Sequence, residues 1–124
     1  MHQIIRFTTD IFDIKEEDRN PINPIYGQSL LLWLQQKIAV SYKMSAPDYE
    51  DWGWYSDMIY HDKKYMIGAS SEEDGLEWVL QISKQRSLIE ILLGKEKMTE
   101  NDKCFLYFKQ IIKTESSFKN IEFE

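Results

Sequence analysis

Between Trp52 and Ser83, large apolar residues recur at every second position in three runs, Trp52–Tyr60, Tyr65–Ser71 and Leu76–Ser83. A period of two marks strands with one buried face. The separators, HDKK and SEEDG, are rich in turn formers, so the three runs predict an antiparallel meander. With a first turn at Asp62-Lys63, Tyr60 faces Tyr65, Met58 faces Ile67 and Ser56 faces Ala69. With a second turn at residues 72–75, Ala69 faces Trp78, Ile67 faces Leu80 and Tyr65 faces Ile82. Both hairpins then place Trp52, Trp54, Met58, Tyr60, Tyr65, Ile67, Ala69, Trp78, Leu80 and Ile82 on one face. A slip of one residue would turn every side chain over. The tryptophans are therefore expected in the core, with indole N–H groups that need acceptors. Gly53, between two of them, predicts a bulge or a close backbone approach.

Outside the meander the period changes. Leu30, Leu31, Leu34 and Ile38 fall at helical spacing, so IYGQSLLLWLQQKIA predicts an amphipathic helix, with Asn23 and Pro24 as start signals, or a start nearer Ser29 because Gly27 weakens its first turn. Cys104, Phe105, Phe108, Ile111 and Ile112 form a second apolar stripe, predicting a helix over Thr99–Glu115 opened by Thr99 and Asp102 in the manner of a capping box. RSLIEILLG reads as a short helix stopped by Gly94. QIIRFTT, VSYKMSA and KNIEFE read as further strands. The expectation is one α+β domain over residues 1–124. It has an antiparallel sheet of five to six strands and two main helices on one face.

The opposite face carries Tyr55, Asp57, Ile59, His61, Met66, Gly68, Ser70, Glu77, Val79 and Gln81. In the expected register Asp57, Gly68 and Val79 form one row across three strands, and Tyr55, Ser70 and Glu77 the next. Two carboxylates beside a tyrosine, with a glycine leaving a dent, suit a cation, an amine or a basic side chain. Tyr55, Asp57, His61, Ser70, Glu77 and Gln81 are thus the candidate binding residues. Asp48, Glu50 and Asp51 form an acidic loop leading into the meander. The Asp57/Glu77 pair is also the one acid/base arrangement the pattern offers.

Charge sharpens this. The 124 residues carry a formal net charge of -6. Seven basic and fourteen acidic residues lie up to Ser83, against eight and seven beyond it. An acidic body repels phosphate backbones, so no nucleic-acid partner is expected, and a basic protein partner fits better. His2, His61 and Cys104 are too scattered for a metal site, and GASSEEDG lacks the lysine of a phosphate loop, so neither metal nor cofactor is expected. One cysteine allows no internal disulfide, and no run approaches the roughly 20 apolar residues of a membrane span. The chain is expected to be cytoplasmic, without a membrane partner. Proline-free QIIRFTT and KNIEFE, as edge strands, would allow a homodimer.

The segments EDWGWY (Glu50–Tyr55), YMIGAS (Tyr65–Ser70) and NPIYGQSLLLWL (Asn23–Leu34) together resemble a signature of small, uncharacterised bacterial single-domain proteins. In size and acidity the chain is also similar to toxin-immunity proteins. The first resemblance implies no activity and no catalytic residues; the second implies an intracellular partner. The expected function is a non-enzymatic protein-binding domain, immunity- or adaptor-like, that uses its open sheet face and acidic loops. The alternative is a small-ligand-binding domain or small enzyme built on Asp57 and Glu77.

Overall fold

The computed structural model describes residues 2–72 and 74–124. Six strands, β1 (His2–Thr8), β2 (Asp48–Glu50), β3 (Gly53–Tyr60), β4 (Lys63–Ser71), β5 (Glu77–Lys84) and β6 (Lys119–Phe123), form one antiparallel sheet in the order β2-β3-β4-β5-β1-β6. Helices α1 (Gln28–Ile38) and α3 (Lys103–Thr114) cover one face, and α2 (Leu88–Leu92) sits apart. The α+β fold expected from the pattern is the fold observed.

The inward face is the predicted one, with a single exception. Trp54, Met58, Tyr65, Ile67, Ala69, Trp78, Leu80 and Ile82 are buried with Leu30, Leu31, Leu34 and Ile38 of α1 and Cys104, Phe105, Phe108 and Ile112 of α3. The two buried indoles find acceptors: Trp54 Nε1 donates to the Ile25 carbonyl (3.2 Å) and Trp78 Nε1 to that of Gly75 (2.9 Å). The exception is Trp52. Glu50 pairs with Gly53, which makes Asp51-Trp52 a two-residue turn and throws Trp52 onto the opposite face, over Gly68.

Both hairpins are displaced from the expected register by two residues. Met58 faces Tyr65, Ala69 faces Leu80, and Ser71 faces Trp78. The first turn is tighter than expected: Tyr60 pairs with Lys63, leaving His61 (φ 47°) and Asp62 (φ 66°) between them. Two left-handed central residues make the turn whose twist matches that of the flanking strands. A shift of two preserves which face each side chain takes.

Other local expectations need correction. Helix α1 starts at Gln28, beside Ser29 rather than at Asn23-Pro24, and its cap comes from a distance. The Glu17 carboxylate accepts from the amides of Gly27 (3.0 Å), Gln28 (3.1 Å) and Ser29 (3.0 Å), and from the Ser29 hydroxyl. Helix α3 starts at Lys103 and is capped by Asp102 alone, which accepts from Cys104 N (2.9 Å) and Phe105 N (3.1 Å). VSYKMSA is not a strand: it makes a single bridge, Met44 to Met58, because the turns closing α1 consume its start. The acidic DYE that follows is the strand instead. QIIRFTT is an interior strand between β5 and β6, so the edges are β2 and β6.

One buried polar network ties α3 to the sheet. The Asp102 Oδ2 accepts from Tyr65 Oη (2.8 Å) and pairs with Lys84 Nζ (3.0 Å), which also reaches Glu96 (3.3 Å). Burial, then the hydrogen bond and charge of Asp102, push the Tyr65 phenol far above its ordinary range. Burial alone would lower the Lys84 ammonium, but Asp102 and then Glu96 outweigh it and raise it. Burial likewise pushes the Cys104 thiol up, as a small core residue of α3.

Candidate functional site

The face of the sheet away from α1 and α3 is built in rows set by the register. One row runs Asp57, Met66, Ser83. The next runs Asp48, Tyr55, Gly68, Gln81, Ile4. A third runs Ser70, Val79, Arg6, Glu122, and a fourth pairs Glu77 with Thr8 and Lys119. Tyr55 and Gln81 thus share a row across Gly68, with Ser70 in the row beside it. Glu77 stands at the far end. From Ser83 to Glu77 the strand advances six residues, about 20 Å. Asp57 and Glu77 therefore do not meet, and the expected acid/base pair is dissolved by the two-residue shifts of the two hairpins added together. His61 also leaves the face. It sits in the left-handed turn, with a ring nitrogen 3.2 Å from Tyr42 Oη, beside the stacked Tyr42 and Tyr60 rings.

Two acidic features remain. The first surrounds Tyr55, half-buried between Asp48 on β2 and Asp57 on its own strand. Asp48 first, then burial, then Asp57 and Glu50 raise the phenol, which stays protonated in a negative field. The backbone under this patch is held from the loop before α1: Asn20 Nδ2 donates to Glu50 O (2.9 Å) and Gly53 O (3.0 Å), and Asn23 Nδ2 to Asp51 O (2.6 Å). Asp48, Glu50 and Asp51 are exposed, Asp48 and Glu50 on an edge strand rather than in a loop.

The second is a groove of about 550 Å³ at the end of the sheet where β4 turns into β5. Among the described residues its charged lining is Glu72, Asp74, Glu77 and Glu122 against a single cation, Arg6. That cation is already committed: Arg6 Nε donates to Glu124 Oε1 (3.1 Å). Ser70 and Asn120 add neutral polar groups, and Val79 forms part of the floor. Among the described residues, no three His, Cys, Asp or Glu side chains converge to hold a metal ion.

No family model, curated protein or solved structure matches the chain, so the site is read from its own chemistry. Sequence pattern alone found Ser70 and Glu77 but missed Glu72, Asp74, Glu122 and Arg6, the other charged residues of the groove. The signal available was the density of acids in SSEEDG beside a strand end; Arg6 and Glu122 come from strands over 110 positions apart and gave none.

Proposed function

We propose that this chain is a non-enzymatic protein-binding module that receives a basic segment of its partner on the open sheet face, with the end groove as its anchor. The observation that carries this is the groove's unbalanced charge: four carboxylates face one guanidinium, and Glu124 occupies that guanidinium. A lysine or arginine side chain entering there gains paired hydrogen bonds and relieves like-charge repulsion. The acidic edge of Asp48, Glu50 and Asp51 extends the same field and speeds encounter with a cationic surface. An adaptor or immunity role, in which this face covers a basic patch on another protein, is the use such a surface serves.

The test is calorimetric titration with a synthetic octalysine peptide, with octaglutamate as control. Glu77→Lys and Glu122→Lys are expected to weaken octalysine binding more than tenfold with an unchanged melting temperature, since both side chains are exposed. Asp57→Lys, outside the groove, is expected to have a smaller effect. Octalysine affinity indifferent to the groove substitutions or to salt would overturn the reading. A second reading, a small polycationic ligand in the same groove, is favoured by its volume, which falls within the range of small-molecule sites. A thermal shift with a polyamine that Glu77→Lys removes would support it.

A further inference from the structure

Helix α2 is amphipathic the wrong way round. Its one charged residue, Glu90, faces the body of the protein, where it accepts from the Ser87 amide (3.0 Å) in a capping box and pairs with Lys63 (3.3 Å). Its apolar residues face water: Leu88, Ile89, Ile91, Leu92 and the capping Leu93 are all between 49% (Ile91) and 83% (Leu92) exposed, and none is buried. At 100° per residue these five sweep about 200° of the helix surface. Their combined area is on the order of 600 Å², at the upper limit for the largest apolar patch on a typical monomer. The cap and the Lys63–Glu90 pair fix this orientation, so the patch is presented rather than merely left over.

What surrounds it is cationic. Lys63 and Lys84 are neutralised by Glu90, Glu96 and Asp102. Arg86, before the helix, and Lys95, Lys97 and Lys103, after it, have no acidic partner among the described residues, and Glu100 is the one unpaired acid in the same stretch, so the unpaired charges there leave a positive excess. The acidic groove lies at the other end of the strands. From Glu77 to Lys84, β5 covers about 23 Å, nearly three times the Debye length of about 8 Å at physiological salt. The α2 end is therefore felt by an approaching surface as positive although the whole chain is negative.

We infer that α2 is a membrane-surface anchor, in which the leucine and isoleucine side chains enter the interfacial region of an anionic bilayer and the flanking cations contact its headgroups. Two observations choose this occupant. A second copy packed α2 to α2 across a two-fold axis would bring two sets of unpaired cations together. A flat protein surface would cover one side of a 200° arc, whereas a bilayer interface surrounds all of it. Such a helix lies in the membrane plane, and a short apolar segment joined to a cationic skirt gives the two signals that stable peripheral binding needs. No described helix is long and apolar enough to cross a membrane, and this mode of attachment requires none.

The experiment is co-sedimentation of the full chain with vesicles of phosphatidylcholine alone and of equimolar phosphatidylcholine and phosphatidylglycerol, at near-physiological salt. Binding is expected to the mixed vesicles and at least tenfold less to phosphatidylcholine. Leu88→Ser with Leu92→Ser, and separately Lys95→Glu with Lys97→Glu, are each expected to lower partitioning at least tenfold, with melting temperatures unchanged. The charge pair keeps the test decisive should the serine pair fold poorly. Any one of three results would overturn the proposal: no binding to mixed vesicles, equal binding to both vesicle types, or binding indifferent to both pairs. So would a dimer by light scattering that Leu92→Ser converts to monomer, since the patch would then belong to a second copy.

Discussion

The Trp52 indole occupies the space directly above Gly68: a β-carbon on Gly68 would stand 2.7 Å from Trp52 Cη2. The clash is with the far end of a half-buried side chain that can move. Gly68→Ala is expected to lift the indole toward water, shift tryptophan emission to the red, and cost under about 1 kcal/mol. Gly27→Ala makes the contrast. Its β-carbon would lie 2.2 Å from the Ala69 carbonyl oxygen, which belongs to the backbone and cannot yield. That substitution is expected to cost about 3 kcal/mol or more in urea denaturation.

Asp102 does three things with one carboxylate: it caps α3, accepts from Tyr65 and neutralises Lys84. Asp102→Ala leaves the Tyr65 phenol unpartnered, the mostly buried Lys84 ammonium with Glu96 alone and α3 uncapped, and a loss of about 3 kcal/mol is expected. Tyr65→Phe removes one hydrogen bond and is expected to cost about 1–2 kcal/mol. Denaturant midpoints of the two variants measure both.

The same network sets an alkaline limit. Tyr65 and Lys84 are both raised in the folded chain, so each keeps its proton where the unfolded chain has released it. Their contribution is whole below the ordinary values and is lost as pH climbs above about 10. Stability measured from pH 8 to 11 is expected to fall over the upper part of that range, and to fall less steeply in Tyr65→Phe. A flat profile in the parent protein would contradict the assignment.

Glu17 caps α1 from eleven residues upstream of its first helical position. Glu17→Ala is expected to destabilise the protein by about 1–2 kcal/mol. Hydrogen exchange should show the loss at the amides of Gly27, Gln28 and Ser29 before the rest of the helix.

Ser56 points into the core, and its hydroxyl is buried without a hydrogen-bond partner among the described residues. Ser56→Ala removes an unmet polar group at almost no change in volume. It is expected to leave the protein as stable or up to about 1 kcal/mol more stable, read from the shift in urea midpoint.

How much of this was legible in the chain follows from what alternation encodes. Position parity assigns faces, so Trp54, Ile67, Trp78 and Leu80 were placed inside without knowing the turns. Parity cannot count pairs: the left-handed His61-Asp62 turn moved the β3–β4 neighbours by two and the next hairpin moved the β4–β5 neighbours by two more, and the two shifts together separated Asp57 from Glu77. Trp52 defied the pattern because a second tight turn, Asp51-Trp52, interrupted it. The Glu17 cap and the Lys84–Asp102–Tyr65 network join residues far apart in sequence, where no local rule reaches. The run LIEILL did carry a signal: five apolar residues in six, beside a helix too short to bury them, had to surface somewhere.

Strand β1 lies between β5 and β6, with Ile4 and Glu124 exchanging both backbone hydrogen bonds. Phe7 stacks on Phe118 at that seam. The meander can assemble from sequence neighbours, but β1 gains a partner on its second side only when β6, more than 110 residues away in sequence, docks on it. Until β6 docks, that margin of β1 is open to other chains, so the long-range β1–β6 pairing is the step at which this fold is most exposed to going astray.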